Sequence, residues 1–188
     1  MRKIVLMFGF ISGAIMSGMM LATLPFMDRI GFDKGLIIGY TSMLAAFLLV
    51  YFGTRSYRDN VAGGSVRFLK AFQVGLLITL ISCFCYVATW EVVYFKIAPD
   101  FADKYSQHEL AAAKAKGATD QEMLKKRQEM VQFKALYDNP LINIAYTFIE
   151  PFPLGLVISL VCAGVLSRGN RKRSEEILSS ATPDPRFT

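Results

Sequence analysis

Charged residues fall in a few short stretches of this chain, and four long apolar runs lie between them. Ile4 to Met27 is 24 residues without a charge. Leu36 to Thr54 is 19 residues between Lys34 and Arg55, and Ala71 to Trp90 is 20 residues between Lys70 and Glu91. An α-helix rises about 1.5 Å per residue, so about 20 residues match the hydrocarbon thickness of a bilayer. Each run therefore predicts a membrane span. The fourth, Leu141 to Ser167, is interrupted by Glu150 in the segment Phe148-Ile149-Glu150-Pro151-Phe152-Pro153. Proline removes a backbone donor and clashes with the preceding turn, and the residue before it is biased away from helix. A break is expected at Glu150, with a firm span from Pro151 and with 141–149 in the outer interface or capping the bundle. The first run follows Arg2 and Lys3, as a signal peptide would. It is too long for a signal core and lacks a small-residue cleavage site, so it is expected to stay.

The connections predict the threading. Arg2 and Lys3, then Arg55, Arg58, Arg67 and Lys70 against Asp59 alone, then Arg168, Arg171, Lys172 and Arg173 form three basic segments. Four spans bring all three to one side, which the excess of positive charge marks as cytoplasmic. The first connection balances Arg29 and Lys34 with Asp28 and Asp33, and the third, Glu91 to Asp138, holds eight positive and eight negative residues. Within the third, helix formers run through Glu109 to Lys116 and Glu122 to Lys134, with Gly117 between them. Thr119 and Glu122 have the spacing of a capping box, which starts a second helix at Asp120. Met123, Met130, Phe133 and Tyr137 form its inward stripe.

The expected fold is therefore all-α: a four-span transmembrane helical bundle with an extracytoplasmic helical hairpin between spans 3 and 4. The boundaries are one integral membrane domain over 1–168, spans at about 4–27, 36–54, 71–95 and 145–167, the hairpin at about 99–138, and a flexible cytoplasmic tail over 169–188. Composition agrees. Hydrophobic residues make up 53%, charged residues 19%, and mean hydropathy is +0.37, which rules out disorder for most of the length. The net charge of +6 is read as topology rather than as a nucleic-acid surface, because the positives flank the spans. Cys83, Cys85 and Cys162 fall in apolar runs and form no metal or disulfide pattern.

The candidate chemistry is sparse. Small residues recur at four-residue spacing: Gly9, Gly13 and Ser17; Gly35 and Gly39; Ala71, Gly75, Thr79 and Cys83; Gly155, Ser159, Ala163 and Ser167. They let helix backbones approach closely, and packing within one chain is preferred to a homodimer face. Glu91 and Glu150 are acids within or beside apolar sequence and are the candidates for an ion or proton site. Their plainer readings are the headgroup layer beside Trp90 and Tyr94 for Glu91, and a cap on the helix from Pro151 for Glu150. His108 is the only histidine, a weak metal candidate with Glu91 and Glu150. Arg55, Arg58, Arg67 and Lys70 around Ala62-Gly63-Gly64-Ser65 are candidates for a lipid headgroup, although a tight turn with Ser65 as helix cap serves as well. No nucleophile elbow, HExxH, Walker or dinucleotide motif is present, and no cofactor is expected.

Four segments also resemble a known family: MRKIVLMFGFISGAIMSGMM, IGYTSMLAAFLLVYFGTRSYRDN, FCYVATWEVVYF and EPFPLGLVISL, in that order. The chain is similar, from about Met1 to Arg168, to a bacterial membrane family catalogued as domain of unknown function 4199. The resemblance implies an inner-membrane protein with several spans and assigns no residue a role. The first expectation is a non-enzymatic accessory or scaffold protein, partnered by the lipid bilayer and by another membrane protein or a second copy, not by nucleic acid. The alternative is ion or proton transport or sensing through Glu91 and Glu150. A membrane enzyme acting on lipid ranks last.

Overall fold

The computed structural model describes residues 1–181, and at Asp28 and from residue 169 onward it describes the backbone alone. The protein is all-α, with no strand among the described residues. The helices are α1 (Arg2–Thr23), α2 (Met27–Ile30), α3 (Phe32–Asn60), α4 (Phe68–Val92), α5 (Phe101–Ala115), α6 (Asp120–Tyr137), α7 (Pro140–Ile149) and α8 (Pro151–Ala181). Four stretches are long and apolar enough to cross a membrane: Arg2–Phe26, Phe32–Asn60, Phe68–Ile97 and Pro140–Arg168. They contain the second, third and fourth runs read from the sequence, and the first run except Met27, which begins α2. Helices α3 and α4 extend past the apolar cores because the flanking lysines and arginines are themselves good helix formers. Large apolar side chains such as Phe10, Leu48, Phe84 and Val161 are more than half exposed, a pattern that hydrocarbon solvates and water does not.

Local chemistry explains where the helices stop. Pro25 ends α1 in a 3-10 turn, Leu24–Phe26, while Thr23 Oγ1 donates back to the Met19 and Met20 carbonyls at 2.9 and 3.0 Å. Gly31, at φ +79°, separates α2 from α3, and Gly63 and Gly64, at +67° and +84°, turn the chain between α3 and α4. Helix α4 begins at Phe68, so Ser65 lies before its N-cap position rather than on it. After Val92 the backbone widens into a π-helical turn, Val93–Ile97, which the sequence pattern does not signal. Pro151 parts α7 from α8 at Glu150, but Glu150 itself keeps helical dihedrals, φ −66° and ψ −60°, against the bias expected of a residue before proline. Helix α8 continues to Ala181, past the point where a flexible tail is expected, and the remainder of that tail lies outside the described residues.

The chain divides into two compact units. One comprises Met1–Ser12, Leu44–Ser82 and Phe152–Thr188. Its interior is built on close approach at small residues. A Cβ on Gly155 would lie 2.3 Å from Thr79 Cγ2, one on Gly9 2.8 Å from Ile81, and one on Gly75 3.2 Å from Ser159. Thr79 Oγ1 donates to the Gly155 carbonyl at 3.3 Å and lies 3.1 Å from Ser159 Oγ, and Ser82 donates to the Gly9 carbonyl at 3.2 Å. These hydroxyls satisfy themselves across helices, which apolar surroundings demand.

The other unit comprises Gly13–Met43 and Cys83–Pro151. Gly13 is buried in it, and Ser17 Oγ donates to the Cys85 carbonyl at 3.3 Å and accepts from Thr89 at 2.9 Å. Helices α5 and α6 are joined through Gly117, at φ +81°, and bridged by Lys126 to Glu109 at 2.6 Å and Lys134 to Asp103 at 2.5 Å. Thr119 and Glu122 form the capping box read from the sequence: the Thr119 amide donates to Glu122 Oε2 at 2.8 Å and the Glu122 amide to Thr119 Oγ1 at 3.4 Å. Asn139 caps α7 by accepting from the Leu141 amide at 3.0 Å.

Candidate functional site

Within the second unit lies a cavity of about 250 Å³. Helix α1 contributes Met16, Met19 and Met20 to its wall; Met27 follows on α2, and Met43 ends the α3 contribution. Aromatic side chains form much of the remainder: Phe32 from α3, Tyr86 and Trp90 from α4, Phe101 and Tyr105 from α5, Phe133 and Tyr137 from α6. Tyr86 and Trp90 share the cavity because residues four apart lie on one helix face. Phe133 and Tyr137 have the same spacing and stack at 5.0 Å between centroids.

Among the described side chains Glu150 is the one acidic residue in that wall, and no Lys, Arg or His lines it. Among the described residues its carboxylate takes one hydrogen bond, from Tyr86 Oη to Oε2 at 3.3 Å, and no basic group lies within salt-bridge distance. The helix break explains the placement. Glu150 follows the end of α7 and precedes Pro151 with helical dihedrals, φ −66° and ψ −60°, and from there its carboxyl reaches the cavity wall. A carboxylate in so apolar a place is costly when ionised and alone.

A second polar chain shares the cavity wall. Trp90 Nε1 donates to Tyr137 Oη at 3.0 Å, and that hydroxyl lies 3.4 Å from Thr147 Oγ1. Thr147 in turn donates to Asn143 Oδ1 at 3.2 Å, and Asn143 Nδ2 donates to the Tyr137 carbonyl at 3.1 Å. Burial pushes the Tyr137 hydroxyl above the usual tyrosine range, and the charges of Glu150 and Glu91 push the same way. Tyr137 thus feels both acids.

The residues singled out from the sequence divide. Glu150 lines the cavity, and Glu91 does not. Glu91 is half-buried on the last turn of α4, next to the π-helical turn, and its Oε1 is buried without a hydrogen-bond partner. His108 packs on Phe32 at 5.1 Å, with Nε2 3.7 Å from Asp33. No group of three or more His, Cys, Asp and Glu converges among the described residues, so His108, Glu91 and Glu150 are not brought together. Of the headgroup candidates, Arg55 and Arg58 both pair with Asp59, at 3.5 and 2.7 Å, while Lys70 Nζ donates to Gln73 at 3.4 Å and Arg67 is exposed.

The sequence reading passed over Tyr86, Tyr137 and the methionines as site residues. A signal for part of this was present: Tyr86 and Trp90 on α4 and Tyr94 in the turn after it repeat every fourth position. A second cavity of about 280 Å³ near Pro25 and Phe101 holds Asp100 and Lys104, paired at 3.2 Å.

A family model described as "Protein of unknown function (DUF4199)" matches residues 7–168. No curated protein and no solved structure matches the chain.

Proposed function

The chain belongs to that DUF4199 family, and on this premise we propose that it is a non-enzymatic multi-pass membrane protein that binds a proton or a cationic ligand at Glu150. One observation carries the reading: a carboxylate in an apolar cavity wall, hydrogen-bonded only by Tyr86 and faced by no basic side chain. Such a group is either protonated or paired with a cation, and exchange between those states is a binding event.

A carbodiimide tests this directly, because it adds to a protonated carboxyl and leaves a stable acylurea on that residue. Dicyclohexylcarbodiimide is expected to modify Glu150, with labelling that falls as pH is raised and the acid ionises. An unmodified Glu150, or modification indifferent to pH, overturns the reading.

The accessory role has its own observation. Helix α6 lies outside the four apolar stretches and yet exposes Leu124 by 62% and Val131 by 70%. These side chains, two helical turns apart, offer a partner an apolar stripe. Native mass spectrometry of gently extracted protein tests this: a stoichiometric partner lost in Leu124→Glu supports it, and a lone chain removes it. We place the protein in a bacterial inner membrane with both termini cytoplasmic and α5 and α6 outside, as the basic flanks favour.

A further inference from the structure

We infer that the cavity takes a hydrophobic organic cation: an ammonium group on a compact aromatic or branched apolar body. The inference rests on the reading of Glu150 as a binding site and adds the class of ligand.

The wall is one-sided in its polarity. Among the described side chains its single ionisable acid is Glu150, with no basic residue to attract an anion. Most of its donors are already engaged within the protein; among the described residues the Tyr105 hydroxyl is the exception, with no hydrogen bond. Tyr86 donates to Glu150, Trp90 to Tyr137, Thr147 to Asn143, Ser42 to the Gly39 carbonyl at 2.7 Å, and Thr23 to carbonyls of α1. A carboxylate or phosphate ligand would meet few free donors and one like charge, and a carbonyl compound would fare little better. An ammonium meets a carboxylate and aromatic rings whose polar edges are mostly occupied, leaving ring faces, the surface that attracts cations. The methionine thioethers add polarisable and adaptable contact.

Volume narrows the class. A cavity of about 150 Å³ accepts benzene. At about 250 Å³ this one has room for a ring and a small branched head, but not for a two-chain lipid.

The test exploits the composition of the chain, whose single tryptophan, Trp90, lines the cavity. Its emission is followed in phosphatidylcholine nanodiscs titrated with benzyltrimethylammonium and, separately, with neopentylbenzene. The second probe has the same shape with carbon in place of the charged nitrogen. Partitioning into empty nanodiscs is subtracted. A saturable response is expected for the cation at tenfold or more lower concentration than for the neutral isostere, with Glu150→Gln abolishing the preference. Gly39 lines the cavity, and a Cβ there meets nothing within 4 Å, so Gly39→Leu is expected to fill space and weaken both probes. Equal affinity for the two probes, or a preference retained in Glu150→Gln, overturns the cation inference and leaves the Glu150 carbodiimide result to stand on its own. No saturable response to either probe overturns the inference and the binding cavity together. If Glu150→Gln does not fold, judged by far-ultraviolet circular dichroism, the two probes on the wild-type protein decide the matter.

Discussion

Glu122 and Glu150 carry the same carboxyl group into opposite surroundings. Glu122 is exposed at the start of α6, where the Thr119 amide and hydroxyl both donate to it, at 2.8 and 2.9 Å. Those bonds hold its carboxyl below the usual range of about 4.5. A folded-state value below the unfolded one means stability that is present above the unfolded value and lost as pH falls through the folded one. Amide protection at residues 121–123, corrected for intrinsic exchange, is therefore expected to hold from pH 8 to 5 and to fall below about 4.5. Thr119→Ala removes the cap, with a loss of about 1 kcal/mol of local stability, and flattens that pH dependence. An unchanged profile in the variant sinks the assignment. This box was legible in the sequence because its members are three residues apart, and helix geometry alone brings them together. Tyr86 and Glu150 are 64 residues apart and Trp90 and Tyr137 47. No local periodicity encodes such a meeting, so the acid was visible and its neighbours were not.

Single helices show the same division between position and partner. The spacing of Gly155, Ser159 and Ala163 marks a close-packing face on α8, but the sequence does not say which side chain it receives. The structure does: a Cβ on Gly155 would lie 2.3 Å from Thr79 Cγ2 and 2.9 Å from the Phe47 ring, whereas one on Gly164, in the same helix, meets nothing within 4 Å. Gly155→Ala must push Thr79 from its bond to the Gly155 carbonyl, so a loss of roughly 1–3 kcal/mol is expected from overpacking. Gly164→Ala is expected to be neutral or to stabilise slightly through helix propensity. Thermal unfolding of the two variants in one detergent decides it, and equal midpoints contradict the packing described. The proline-marked break at Glu150 was legible for the same reason as the capping box, since its cause is local. The π-helical turn Val93–Ile97 has no comparable sequence marker.

For the molecule as a whole, the parity of the spans and the distribution of charge are independent constraints that one experiment separates. If all four apolar stretches cross the bilayer, the turn between α3 and α4 is expected on the opposite face from α5 and α6, whichever way the protein faces. Charge is then expected to set the direction: under the proposed orientation Arg55, Arg58, Arg67 and Lys70 keep the α3–α4 turn cytoplasmic, while the third connection is balanced. The native cysteines favour a labelling test, because Cys83 and Cys162 are buried, Cys85 is half-buried, and all three lie within spans. Ser65 and Ala115 are both exposed, one in the turn and the other at the end of α5. A membrane-impermeant thiol reagent added outside inner-membrane spheroplasts is expected to label Ala115→Cys and to label Ser65→Cys only after lysis. The reverse pattern keeps four spans and overturns the orientation. Labelling of both before lysis contradicts the span count itself, because an even number of crossings is then needed between two positions that one apolar stretch separates.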